Sequence, residues 1–254
     1  MQKGLEPTKR FSNRVENYVR YRPGYPAEII ALLRDECGLT PESVIADIGS
    51  GTGKLSELFL NAGCQVFGVE PNKEMRAAGE RMNHPNFTSV DASAEETTLP
   101  GHGVNFITAG QAFHWFDRDR CRAEFLRILK PGGWIVIIWN DRRDDTAPFL
   151  VAYENLLGEF GTDYNQAHHR RADKPEVIRA FFGIEPRFKN FHNVQHFDLE
   201  GLKGRLLSSS YAPVAGHPKY EEMLAELKQI FDTHQKNGTV AFEYDTHLYY
   251  GHLV

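Results

Sequence analysis

The chain has 254 residues, 41% of them hydrophobic and 25% charged, with a formal net charge of −5. That is enough apolar material for one large buried core and the wrong composition for disorder. The acidic balance argues against a general nucleic-acid or anionic-membrane binder.

Residues 1–25 are dense in aromatics and arginine and include Tyr18-Val-Arg-Tyr21-Arg22-Pro23-Gly24-Tyr25-Pro26. The segment reads either as packing for a sheet edge or as a lid whose tyrosines, Tyr18 and Tyr21, touch a ligand. Pro26 then opens a helix with Ile29, Ile30 and Leu33 inside, stopped by Gly38.

Val44-Ile45-Ala46-Asp47-Ile48-Gly49-Ser50-Gly51-Thr52-Gly53 is the stretch around which the chain is organised. An apolar strand ends in an acid, a glycine-dense turn follows, and a helix begins with Leu55, Leu58 and Phe59 on one side. Strand, turn and helix in this order open a parallel α/β sheet, whose ligands bind beyond the carboxyl ends of the strands. The third glycine comes one residue too early for a dinucleotide fingerprint, and Gly53-Lys54 is followed by Leu55 rather than Ser or Thr, so neither a dinucleotide turn nor a phosphate loop fits. Asp47 disfavours a pyrophosphate there and suits a ligand with cationic or hydroxyl groups. A tight turn with no ligand is the plain alternative.

Gln65 to Val69 is the second strand, ended by Glu70, about 20 residues beyond the glycines, where an acid can accept from both hydroxyls of a ribose. Asn72 caps a helix carrying Met75, Ala78 and Met82, read as core. Phe87 to Val90 is the third strand; Asp91-Ala92-Ser93-Ala94-Glu95 follows it, either as a turn or as an acid and small side chains around an adenine. Val104 to Gly110 is the fourth strand, and Gln111-Ala112-Phe113-His114-Trp115 leaves it into the same crevice. Asp117 caps a helix with Cys121, Phe125, Ile128 and Leu129 inside, ended by Leu129-Lys130-Pro131-Gly132-Gly133; Trp134 to Asn140 is a wholly apolar fifth strand.

After Asn140 the rhythm changes. Two amphipathic helices, Phe149–Phe160 and Pro175–Phe182, flank His168-His169-Arg170-Arg171, a run that reads as a solvated face or as a substrate contact. A short strand around Val194–Phe197 and a helix over Leu199–Ser209 follow. A helix from Pro218 then carries Met223, Leu224, Leu227, Ile230 and Phe231. Val240, Phe242, Tyr244, Thr246, Leu248 and Tyr250 alternate as one face of a strand, which reads as antiparallel and at an edge. The three cysteines, Cys37, Cys64 and Cys121, are odd in number and widely spaced, which predicts reduced thiols in a cytoplasmic protein and no metal site. The polar N-terminus lacks an apolar signal core, and the strongest apolar run, Trp134 to Trp139, is too short to span a bilayer.

The acidic glycine turn, Glu70, the Asp91–Glu95 segment and Leu129-Lys-Pro-Gly-Gly133, in this order and spacing, resemble the class I S-adenosylmethionine-dependent methyltransferases over about residues 44–140. Tyr18–Pro26 and Ala112–Phe116 look like the type 11 subgroup that includes trans-aconitate methyltransferase-like proteins. The resemblance implies an α/β fold: a doubly wound, Rossmann-like, seven-stranded, mostly parallel sheet with a reversed last strand and a helical cap insertion. It implies one domain over 1–254, with 1–25 as a lid and 141–187 and about 199–216 as the substrate cap. S-adenosyl-L-methionine is then the cofactor. Gly49, Ser50, Gly51 and Gly53 receive its methionine part, with Asp47 near the ammonium. Glu70, beside Pro71, holds the ribose, and Asp91 with Ala92 or Ser93 the adenine. Gln111 and His114 lie near the sulfonium and the acceptor.

Direct displacement from a sulfonium asks the protein mainly for alignment. The expected acceptor is a small molecule, with a carboxylic acid as first candidate and a phenol, quinone precursor or amine as alternatives. A carboxylate needs positioning by cations such as Arg142, Arg143, Arg170, Arg171 or Arg205. The alternatives bring in a base, for which His114 is the candidate catalytic residue; its other reading is a shape-setting neighbour of Trp115. Tyr18, Tyr21, His114, Trp115, Arg142 and Arg205 make up the expected substrate side. No nucleic-acid or membrane partner is expected, and the oligomeric state is monomer or homodimer. A nucleotide-dependent oxidoreductase, a non-catalytic cofactor-binding relative and an RNA methyltransferase are the competing readings.

Overall fold

A computed structural model describes residues 14–162, 164 and 175–254. Residues 1–13 of the expected lid and the His168–Arg171 run lie outside the described residues.

Seven strands form one sheet in the order β3-β2-β1-β4-β5-β7-β6. They are β1 Val44–Ile48, β2 Gln65–Val69, β3 Phe87–Val90, β4 Val104–Gly110, β5 Leu129–Arg142, β6 Arg187–Phe197 and β7 Val240–Gly251. The first five pair in parallel. β7 runs antiparallel between β5 and β6. Strand order reverses between β1 and β4, the switch point at which ligands bind in open α/β sheets.

Both faces of the sheet are covered, as the apolar strands require. On one face Ile45, Val66, Phe106, Val136 and Ile138 meet helices α2 (Glu28–Cys37) and α3 (Lys54–Asn61). On the other, Ala46, Ile48, Ile107, Ile135 and Ile137 meet α5 (Arg118–Ile128) and α7 (Pro175–Phe182). The intervening α4 spans Lys73–Glu80, capped by Asn72, whose Oδ1 accepts from Met75 N at 2.9 Å. A third cluster unites α6 (Pro148–Phe160), α8 (Leu199–Leu207) and α9 (Tyr220–His234) with Phe197, Val240, Phe242 and Tyr244. Helix α7, grouped with the cap in the sequence, thus packs on the sheet through Ile178, Phe181 and Phe182, and α9 belongs with the cap.

Three further features differ from expectation. β7 is interior and β6 is the edge. β6 has eleven residues, and its leading half is exposed, so it lacks the apolar alternation that marks a strand in sequence. β5 begins at Leu129, and the Pro-Gly-Gly segment bulges within it: the register with β4 shifts between Val104 and Phe106, and Gly132 has φ 75°. Before Pro26 the chain forms a helix, α1 (Val15–Tyr21), with no buried residue. It is held at its ends. Arg14 donates to the carbonyls of Leu207, Ser209 and Ala212, and Arg22 donates to Ser208 O at 3.1 Å. The Tyr21 ring occupies the space that a Cβ at Gly204 would fill, so only glycine lets α1 lie against α8.

β5, β6 and β7 overrun the carboxyl edge of the other strands and enter the cap. Asn140 pairs with Thr246 and Arg142 with Tyr244, so strand register sets Arg142 and Tyr244 side by side above the sheet.

Candidate functional site

One cavity of about 420 Å³ opens at the switch point. Its floor is the glycine turn. Gly49, at φ 67°, leaves β1 with its N–H donating 2.8 Å to Val69 O. A Cβ there would stand 2.6 Å from that of Ala112, so the position needs glycine both for its φ and for the approach of the Ala112 loop. Gly51 and Ser50 also line the cavity. Gly53 does not: it is the left-handed N-cap residue of α3, packed on Met82.

Two acids face this floor. Asp47 is fully buried and accepts from Ser56 Oγ at 2.6 Å and Thr108 Oγ1 at 3.1 Å. Burial pushes its carboxyl up to about 6, against the pull of those hydrogen bonds and with a small push from Glu70. Glu70 accepts from Gly51 N at 2.9 Å and Asn72 N at 2.8 Å, one bond to each oxygen. Its carboxyl is raised by burial, with the two backbone donors opposing. Each oxygen keeps a free lone pair, which a pair of vicinal hydroxyls can use. Pro71 lies next to it on the cavity wall.

After β3, the wall is Ser93, Ala94 and Glu95. Asp91 and Ala92, named from sequence, are not on it. Asp91 is 69% exposed and pairs with Arg76 at 2.7 Å, while Ala92 packs into the sheet core. Arg76 also donates 2.9 Å to Glu70 O, so Asp91 reaches the site only through that arginine.

After β4, Gln111 has φ 57° and its Nε2 donates 3.0 Å to Asn140 O. A single 3-10 turn, Phe113–Trp115, follows. Phe113 is buried against Trp139 and Phe181, which turns the adjacent His114 and Trp115 to the cavity, their rings 4.7 Å apart. From the N-terminal segment, Tyr18 and Tyr25 line the cavity; Tyr21 does not. Arg22 stacks 5.2 Å over Tyr18, and the Tyr25 hydroxyl lies against the backbone at Gly110. Burial, with Tyr18 and Asp47 nearby, raises the Tyr25 phenol well above its ordinary value. The Gly24 carbonyl that anchors the segment accepts from both Asn140 Nδ2 and Asn193 Nδ2 at 3.0 Å.

The cap side holds two buried arginines. Arg142 donates to the Glu154 carboxylate and, at 3.1 Å, to Tyr164 O–H, and stacks 5.2 Å over Tyr153. Its Nη1 is buried with no hydrogen-bond partner among the described residues. Arg205 is 3% exposed. Its Nε donates 3.1 Å to Tyr244 Oη, its Nη1 3.3 Å to Ser209 Oγ, and its plane stacks on Phe242. Among the described residues no carboxylate pairs with it. Burial works against its charge, but the hydroxyls of Tyr244, Tyr153 and Tyr211 outweigh that and hold its pKa above the ordinary guanidinium value. Arg143, the third candidate, is spent elsewhere, on Asp245 at 2.8 Å and Glu243 at 3.3 Å.

Sequence reasoning placed Tyr25 only within the lid segment and missed Tyr211 and Tyr244 on the wall. The alternation of β7 held a signal for Tyr244, since its face had to meet something. Among the described residues no cluster of His, Cys, Asp or Glu could hold a metal ion, and no helix is long and apolar enough to cross a membrane.

Comparison with known proteins gives the family. A family model described as a methyltransferase domain matches residues 46–137. An uncharacterized methyltransferase of Mycobacterium tuberculosis strain H37Rv is 35% identical over 224 residues, 88% of this chain and 86% of that one. One from Schizosaccharomyces pombe is 27% identical over 228 residues, 89% and 88% of the two chains. Among solved structures, a protein from Anaeromyxobacter dehalogenans with the provisional name of Type II methyltransferase shares the fold, with a TM-score of 0.66 at 22% identity over 92% of this chain and 99% of that one. With an acidic glycine turn, a buried carboxylate after β2 and a seven-stranded sheet whose β7 is reversed, the chain belongs to the class I S-adenosylmethionine-dependent methyltransferases.

Proposed function

We propose that this enzyme transfers the methyl group to a carboxylate oxygen of a small anionic acceptor. The observation that carries the reading is Arg205: a guanidinium buried in the cavity wall with no acid among the described residues to balance it. The tyrosine hydroxyls keep this guanidinium charged without neutralising it, which leaves its charge for an anion that arrives as a ligand.

The residues present fit the cofactor. The glycine turn leaves room for the methionine part, Asp47 faces its ammonium side, Glu70 has lone pairs for the ribose, and Ser93 with Ala94 and Glu95 offers a slot for adenine. Two acids on this floor suit a cationic, hydroxylated ligand. When bound, the cofactor supplies an electrophilic methyl group on a sulfonium. The chain supplies alignment, for which proximity and orientation account for roughly 7–11 kcal/mol of barrier reduction.

A carboxylate is already ionised at neutral pH, so the acceptor needs a holder rather than a base. Arg205 provides the net charge, since Glu154 already balances Arg142, and the free Nη1 of Arg142 adds a donor. Tyr244 and Tyr211 keep the pocket polar without adding charge. In this reading Gln111, Trp115 and His114 position the reacting oxygen, and Tyr18 closes the opposite wall.

The test is a turnover screen with methyl-labelled cofactor across small mono-, di- and tricarboxylates, phenols and amines. Base-labile methyl esters are expected from one group of acids. Transfer to phenols or amines alone would refute the carboxylate reading and leave the family intact.

A further inference from the structure

The glycine turn hands the chain to α3 at Lys54, and this residue breaks two local rules. A cation in the first turn opposes the helix dipole, which favours acids there. The side chain is also partly buried in the cavity wall, where desolvation lowers its pKa, with Glu57 opposing only partly. Among the described residues no hydrogen-bond acceptor or carboxylate closes on its ammonium. Two residues earlier, Thr52 lines the same wall, and its hydroxyl is buried without a hydrogen-bond partner among the described residues.

We infer that Lys54 is the receptor for the α-carboxylate of the cofactor's methionine end. The inference rests on the cofactor reading above and adds a residue to it. That end of the cofactor is a zwitterion. Asp47 stands at the carboxyl end of β1 for its ammonium, and Lys54, seven residues on across the glycine turn, stands for its carboxylate. The unpartnered Thr52 hydroxyl is a second donor at this end of the floor. The acceptor has its own cations, Arg142 and Arg205, and these come from β5 and α8, whereas Lys54 comes from the turn itself. The two anions therefore have separate receptors, and an acidic acceptor does not compete for the cofactor's amino-acid end.

Ligand truncation separates this role from a general one. Calorimetry of the whole protein would compare S-adenosylhomocysteine with decarboxylated S-adenosylmethionine, which keeps the ammonium and lacks the carboxylate. Lys54→Met is expected to weaken S-adenosylhomocysteine about 10- to 100-fold, the effect of one lost charge-assisted bond, and to change the decarboxylated ligand less than about 3-fold. Lys54→Arg should recover most of the loss. Equal losses for both ligands overturn the inference, as does unchanged S-adenosylhomocysteine affinity accompanied by a raised acceptor KM. If the unaltered protein itself ignores S-adenosylhomocysteine, the cofactor reading falls and this inference goes with it, a result distinct from either of the other two.

Discussion

Arg205→Met should make the protein slightly less stable and far less able to use its acceptor. Methionine keeps the length and packing over Phe242 and removes a buried charge that no acid among the described residues balances. Replacing buried charges by apolar residues of similar volume typically stabilises by about 1–4 kcal/mol. Against this stand two hydrogen bonds, to Tyr244 and Ser209, each worth about 1.5–3 kcal/mol because the donor is charged. The Tyr244 hydroxyl keeps another partner, donating 3.1 Å to Gln195 Oε1, so it is not stranded. At the midpoints of these ranges the bonds outweigh the gain by about 2 kcal/mol, which for a domain of this size lowers Tm by about 4–8 °C. Function falls further. Truncating one side of a buried, hydrogen-bonded charge pair costs about 2–5 kcal/mol, or roughly 30- to several-thousand-fold in kcat/KM for the acceptor. Thermal denaturation without ligand and initial rates at saturating cofactor read the two halves separately, and affinity for S-adenosylhomocysteine should not move. A lower Tm together with kcat/KM within about 3-fold of the unaltered enzyme would show Arg205 to be structural, and would refute the argument from its missing partner.

Asp47 predicts a pH dependence. Its folded pKa, about 6, lies above the ordinary 3.8, so the native state holds a proton that the unfolded state has released. Stability from this group is full below about pH 4, falls as pH rises to 6, and is flat above, a loss on the order of 3 kcal/mol. Asp47→Asn should therefore raise Tm at pH 7.5 while weakening S-adenosylhomocysteine, and should remove the decline in cofactor affinity expected below about pH 6. A Tm that falls at pH 7.5 would contradict the burial argument. Gly49→Ala, with φ 67° and its new Cβ 2.6 Å from that of Ala112, should cost about 1–2 kcal/mol in backbone strain alone and abolish calorimetric cofactor binding; normal binding would mean that the turn is not the floor. His114→Gln should lower kcat at saturating substrates with the shape of the pH–rate profile kept, because a carboxylate gives up no proton; loss of the acid limb in the variant would instead assign His114 as a base.

β1, β2, β4 and the body of β5 were legible in the sequence because largely buried parallel strands leave mostly apolar runs, whereas β3, an edge strand reading Phe-Thr-Ser-Val with no buried residue, was marked chiefly by the acid that follows it. Asp47 and Glu70 announced themselves in the same way, as acids at strand ends. What failed was information that sits in the partner of a residue. Asp91 ends β3 as Glu70 ends β2, yet Arg76 draws its carboxylate outward, and nothing in the local sequence says so. Tyr21 and Tyr18 share one helix, but the Tyr21 ring is committed to Gly204, nearly two hundred residues away. β6 was mostly invisible because an edge strand with exposed side chains has no apolar period to read. Of the arginines, Arg142 ends β5 and Arg143 follows it, with opposite fates: one turns into the cap and the other to Asp245.

The same alternation explains how a sheet built for a cofactor also builds an acceptor pocket. β7 presents Leu248 and Tyr250 to the sheet core and Phe242 and Tyr244 to the cap core on a single face. Thr246 stands between them, fully buried, with its hydroxyl donating 2.5 Å to Asn140 Oδ1. Asn140 in turn donates to Gly24 O, and its own carbonyl accepts from Gln111. One asparagine therefore fixes the N-terminal segment, the loop after β4 and the β5–β7 register at the level where the two cores meet. Two residue pairs further along, that register delivers Arg142 and Tyr244 to the proposed acceptor side. The distance between the cofactor floor and the arginine wall is set by strand pairing, the stiffest element available. The cap helices can then vary in sequence so long as α8 keeps the Arg205 Nε on Tyr244 Oη, 3.1 Å away, the bond that ties the proposed anion holder to the strand register and so meets the condition that alignment-driven transfer imposes.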